Sequence, residues 1–136
     1  SPFAPVQEEV NRHRVLNPDD PTNTDLHTTI RYIRARSPRI ARRLYQMERD
    51  QEAKRLEARQ SPPYAYRVTN LTPFVPRDWP GLDRLEAASY QWQEQESWTF
   101  ALLRGNDVLL VDYTGTARWE DCLPLFLEAL DKEAAP

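Results

Sequence analysis

Six arginines, Arg31, Arg34, Arg36, Arg39, Arg42 and Arg43, occupy a stretch with no acidic residue between Leu26 and Gln46. Guanidinium groups make planar, bidentate contacts with carboxylate or phosphate and suit interfaces better than ammonium groups do. The chain has only two lysines, Lys54 and Lys132, so its basic chemistry is arginine chemistry. Such a row has three uses: solvated or internally paired side chains, an acidic partner protein, or a nucleic-acid backbone. Charge distribution ranks them. Residues 11–60 carry a net +5 and residues 61–136 a net −6, within a total of −3. The acidic half repels a polyanion, yet it suits pairing with the chain's own arginines or docking to another protein.

Catalytic chemistry has weaker support. His13 and His27 share no spacing with a nucleophile or an acid, and Cys122 falls on an apolar helical stripe. Gly81, Gly105 and Gly115 are isolated, so there is no glycine-rich phosphate loop. Glu120 and Asp121 beside Asp112 form an acidic patch from which no ligand geometry follows. Asp107 and Asp112 bracket the strand-like VLLV and in part resemble the metal-holding acids of PD-(D/E)xK nucleases. That family places one acid at a strand start and another in an acid-x-Lys triplet. Here the triplet is Asp112-Tyr113-Thr114, without the lysine. The resemblance implies a metal-dependent hydrolase using Asp107 and Asp112, which stands third among the readings. No catalytic residue, cofactor or metal ligand is assigned.

The arginines and acids must be positioned by a fold, and its clearest element is a hairpin over 97–114, SWTFALLRGNDVLLVDYT. Gly105-Asn106 separates two runs of aromatic, aliphatic and β-branched residues, and both tolerate the positive φ of a two-residue turn. That turn pairs Leu103 with Val108, Ala101 with Leu110 and Thr99 with Asp112. On the other face Trp98, Phe100 and Leu102 meet Tyr113, Val111 and Leu109, an entirely apolar set. The first face is apolar near the turn and polar at its far end. A hairpin apolar on both sides belongs at the centre of its sheet.

The remaining elements follow from breakers and periodicity. Residues 1–19, with Pro2, Pro5 and Pro18, read as an extended arm. Asp20 and Pro21 supply an N-cap and first position for a helix with Leu26, Ile30 and Ile33 as its buried stripe. Ser37-Pro38 ends it and caps a second helix, 38–60, with Ile40, Leu44 and Met47 turned inward. Beyond Met47 that helix is polar around most of its circumference apart from Leu56, held by pairs such as Asp50 with Lys54 and Glu52 with Arg55. It therefore projects from the domain or pairs with a partner, including another copy of the chain. Pro62-Pro63 marks the change to β structure, with a strand at 64–71. A long loop, TPFVPRDWPG, carries Phe74 and Trp79 as binding anchors or as plugs onto the core. A short helical turn over 82–88 and a strand over 90–95 lead into the hairpin. The last helix shows Trp119, Cys122, Leu123, Phe126, Leu127 and Leu130 at helical spacing, with Thr116 as cap and Pro124 as a source of a kink or a short opening turn.

The whole reads as a single α+β domain over 20–136: a basic helical part (20–60), then an acidic sheet-plus-helix part (61–136). It has two N-terminal helices, a mainly antiparallel sheet of about four strands and a C-terminal helix packed on it. Its 136 residues allow one core, and no run approaches the ~20 apolar residues of a membrane span. No signal-peptide pattern is present, which suits a cytoplasmic protein, although the chain starts without Met and a removed leader is left open. The expected function is a non-catalytic protein-interaction module, an adaptor, immunity-type inhibitor or assembly subunit. Its expected contacts are the six arginines, Phe74 and Trp79, with nucleic-acid binding by the same arginines as the second reading.

Overall fold

In a computed structural model, which describes residues 6–14, 27–60, 68–92, 95–115 and 118–134, the elements run β1 (Val6–Arg14), β2 (His27–Ala35), α1 (Pro38–Ala58), β3 (Val68–Pro76), β4 (Arg84–Trp92), β5 (Gln95–Arg104), β6 (Asp107–Thr114) and α2 (Trp119–Ala134). The strands form one sheet of order β1-β2-β6-β5-β4-β3, with every neighbouring pair antiparallel. The β5–β6 hairpin lies at its centre in the register that the turn dictates, Leu103 opposite Val108 and Phe100 opposite Val111. Gly105 takes φ +60 while Asn106 is not among the positive-φ residues, so the glycine sits at the first central position of a II′-type turn.

Side-chain alternation divides the core into two layers. On one face Ile30, Tyr32, Phe100, Leu102, Leu109, Val111 and Tyr113 pack under Trp119, Cys122, Leu123, Phe126 and Leu130 of α2. On the other, Ile33, Ala35, Ala101, Leu103, Val108 and Leu110 pack under Ala41, Leu44, Tyr45 and Leu56 of α1. The result is a helix–sheet–helix sandwich. Phe100 contacts three aromatic rings at 5.6–6.1 Å, those of Trp98, Trp119 and Phe126. Asp131 of α2 pairs with Arg104 at the end of β5, 2.8 Å apart. Helix α2 runs through Pro124, which is exposed, and no described helix is long and apolar enough to cross a membrane.

Several expectations are corrected. The first N-terminal helix is absent where the residues are described: His27–Ala35 is strand β2. Ile30 and Ile33, three apart, match a helical stripe as well as the two faces of a strand that is covered on both sides, so spacing alone could not separate them. Thr28, Thr29, Ile30, Tyr32 and Ile33 are residues suited to a pleat, and pairing with β6 decides the matter. Asp20 and Pro21 lie outside the described residues, as does Thr116. Within the expected arm, Val6–Arg14 is an edge strand, and among the described residues the sheet has six strands instead of about four. The strand expected at 64–71 is described only from Val68, and it continues through Pro73 to Pro76, so Phe74 belongs to β3 rather than to a loop. Proline is tolerated there because β3 is an edge. No helical turn forms at 82–88: from Arg84 onward these residues belong to β4, and Leu85 to Ala88 are all buried because both faces of the sheet are covered.

Helix α1 starts as its sequence requires, with Pro38 in the first turn and the Ser37 hydroxyl accepting a hydrogen bond from the Ile40 N–H at 3.2 Å. It does not overhang. Its buried line runs through Ala41, Leu44, Tyr45, Glu48, Glu52 and Leu56, while Met47 is turned outward and is 48% exposed. The far end of the sheet face beneath it carries Ser97, Thr99, Asp112 and Thr114. A polar helix segment therefore meets a polar sheet segment. Replacing Phe100 with Ala should lower unfolding stability by about 3–5 kcal/mol in urea titrations, whereas Met47→Ala should change it by no more than about 0.5 kcal/mol. A large loss for Met47→Ala would contradict this orientation of α1.

Candidate functional site

The arginine row is split by the strand that carries part of it. Arg31 and Arg34 are an odd number of residues apart on β2 and so project to opposite faces. Arg31 pairs with Glu48 of α1. Arg34 lies directly opposite Asp107, with its Nε 3.3 Å from the carboxylate, which also accepts a hydrogen bond from the Tyr32 hydroxyl at 2.6 Å. Burial, reinforced by the Asp107 carboxylate, pushes the Tyr32 phenol well above its ordinary pKa. Both arginines thus have partners within the fold.

The other four are displayed. Arg36 sits in the bend before α1, and Arg39, Arg42 and Arg43 follow on the helix; all four side chains are at least partly open to solvent. None makes an ion pair within the described residues. The first turn of α1 contains no acid, and Arg39 stands where the positive end of the helix dipole disfavours a cation by ~0.3–1 kcal/mol. Arg43 and Met47 are four apart and share a helix face, so the basic row ends against an exposed apolar side chain.

Phe74 and Trp79 do not join this surface. Phe74 is buried in β3 with the Arg49 guanidinium 5.5 Å from its ring centre. Trp79 is partly buried against the α2 core, 6.1 Å from Trp119, and lines an open cleft of about 290 Å³ together with Arg77, Leu82 and Arg84. Both side chains plug their segments onto the core.

Three buried glutamates, Glu48, Glu52 and Glu86, escape a stripe read from apolar residues alone. Glu86 on β4 accepts from the Tyr45 hydroxyl (2.9 Å), Arg49 Nε (2.8 Å) and Arg84 (2.7 Å). This fully hydrogen-bonded carboxylate ties α1 to the sheet, and burial followed by the Glu86 bond raises the Tyr45 pKa. Glu48 and Glu52 continue the four-residue rhythm of Leu44 and Leu56, the signal that could have placed them inside. Glu52 is paired with Arg55 at 2.5 Å. Asp112 accepts from the Thr99 hydroxyl at 2.8 Å. Burial raises the pKa of Glu52, with the charge of Asp112 adding to it and Arg55 and Arg59 opposing. Burial likewise raises Asp112, against the Thr99 bond and the same two arginines, and it raises the Tyr90 phenol alongside.

The hydrolase reading needs Asp107 and Asp112 to share a metal ion. They are five apart on one strand, so one faces α2 and the other α1, and the sheet separates them. Among the described residues no group of three or more His, Cys, Asp or Glu side chains is arranged to hold a metal. Cys122 is buried in α2, and His13 and His27 lie in β1 and β2.

The chain is thus an α+β sandwich with a six-stranded antiparallel sheet, a basic, solvent-facing helix start and a buried carboxylate cluster beneath the other end of that helix. Comparison with protein-family models, curated proteins and solved structures finds no match.

The carboxylate cluster has a measurable pH signature. An acid whose pKa is raised by folding binds its proton more tightly in the folded state, so its contribution to stability grows on acidification and is lost as pH rises through the raised value. Asp112→Asn keeps an oxygen to accept from Thr99 and removes the buried charge. It should raise Tm at pH 7, with the advantage shrinking as pH falls towards the ordinary carboxylate pKa of about 4. An Asn variant less stable than the parent at pH 7 would show that the ionised form is the one favoured by the fold.

Proposed function

We propose that the protein is a non-catalytic interaction module that binds an acidic surface of a partner protein through Arg36, Arg39, Arg42, Arg43 and Met47. The observation that carries this reading is the solvent-facing arginine row at the start of α1. Its side chains make no ion pair among the described residues, and the helix dipole works against Arg39 in the first turn. Such a row costs stability in the free protein, and that cost is offset when carboxylates approach. Met47 at the end of the row offers an apolar contact of the kind enriched in protein interfaces. The net −6 on residues 61–136 weighs against a polyanion as the ligand.

Nucleic acid is the competing ligand for the same arginines, and one titration separates the two. Fluorescence anisotropy with a labelled glutamate-rich peptide, a DNA duplex and a single strand would be recorded at two salt concentrations about fourfold apart. The peptide should bind, and the Arg39→Glu/Arg42→Glu/Arg43→Glu variant should bind it at least about tenfold more weakly. Duplex binding that is tighter than peptide binding, falls steeply with salt and is lost in the variant would assign the row to a nucleic-acid backbone. Peptide binding unchanged by the triple reversal would remove the row from the interface.

A further inference from the structure

The two edges of the sheet are built differently. Edge strand β3 contains Pro73 and Pro76, slips register between Thr69 and Thr72 and again between Thr72 and Val75, and holds Asn70 at φ 55. Prolines and bulges of this kind keep an edge from accepting another chain. The opposite edge, β1, is nine residues long and contains no proline; its one register shift falls at its start, between Val6 and Glu8, and from Glu8 to Arg14 it pairs with β2 without interruption. Among the described residues no strand lies beyond it.

The sequence of β1, VQEEVNRHR, is acidic in its first half and basic in its second. If a second copy of the strand is laid antiparallel about Val10, Val10 falls opposite Val10, Glu8 opposite Arg12 and Arg12 opposite Glu8. A parallel arrangement would set Glu8 against Glu8 and Arg12 against Arg12, which is repulsive. Register within the chain extends the pattern. Asp107 is opposite Arg34, and Arg34 is opposite Glu8, so charge alternates across the strands up to the edge. Arg12 of a second copy would continue that alternation as the next member of the row. Charges on an edge usually deter pairing, but a strand whose charges complement its own reversed copy favours that copy over a parallel one.

We propose that β1 is a dimerisation edge, through which two copies of the chain pair antiparallel about Val10, over the regular stretch Glu8–Arg12, into one continuous sheet related by a two-fold axis. This rests on the strand pairing and not on the arginine face of α1.

Sedimentation velocity of the full chain over a concentration series tests it, with Glu8→Arg and Arg12→Glu made separately and then mixed. The wild type should show a concentration-dependent monomer–dimer equilibrium. Each single reversal sets like charges opposite each other twice, so each variant alone should self-associate about tenfold or more weakly. The mixture should regain the dimer, because positions 8 and 12 of the two variants then face each other with opposite charge at both contacts. If either reversal fails to fold by circular dichroism, Glu8→Gln and Arg12→Gln replace the pair and should each weaken the dimer severalfold. A wild type monomeric at every concentration, which would leave the edge to another protein's strand, overturns the proposal. So does a dimer indifferent to the substitutions, or a mixture of folded reversals that stays monomeric.

Discussion

The fold depends on the β5–β6 hairpin being closed to water on both faces at once. Phe100 and Leu102 project one way, Ala101 and Leu103 the other, and all four are buried. A single helix can cover only one side, so the hairpin requires α2 over Phe100 and α1 over Ala101 and Leu103. The same double burial makes the hairpin unfit to stand alone, and β2 and β4 flank it. The Gly105 N–H donates to Asp83 at 2.7 Å, and the Ala35 N–H to the Asn106 carbonyl at 2.9 Å, so the turn itself is tied to both neighbouring segments.

Charge placement follows from that frame. Each buried acid contributed by α1 or β4 is supplied with a partner: Glu48 with Arg31, Glu52 with Arg55, Glu86 with Arg49, Arg84 and Tyr45. Taking a carboxylate from water costs several kcal/mol in a low-dielectric setting, and hydrogen-bonded partners recover much of it. Asp112 is the exception in kind: it has the Thr99 hydroxyl as a bonded partner, and burial still dominates its titration. The basic and acidic halves are therefore interleaved in space. Arg31 and Arg34 go to internal acids, while the four arginines at the bend and on α1 face solvent. That division separates structural from available charge, and only the available part bears on a ligand.

Local chemistry was enough to specify the hairpin, its turn and its register, because Gly105-Asn106 is a single break between two runs of strand-forming residues and a two-residue turn fixes which positions face each other. It was also enough for the start of α1, where Ser37 and Pro38 act on their own backbone, and for the buried stripe of α2. Long-range packing was needed to make residues 27–35 a strand, to run β3 through two prolines and to turn the polar half of α1 inward. In each case the deciding partner is remote in sequence: β6 for β2, the free edge for β3, and the Ser97, Thr99 and Asp112 end of the sheet for Glu48 and Glu52. The same holds for the arginines. Their number is written in the chain, but which of them are left to face solvent depends on where Glu48 and Asp107 arrive, and contacts between distant segments set that.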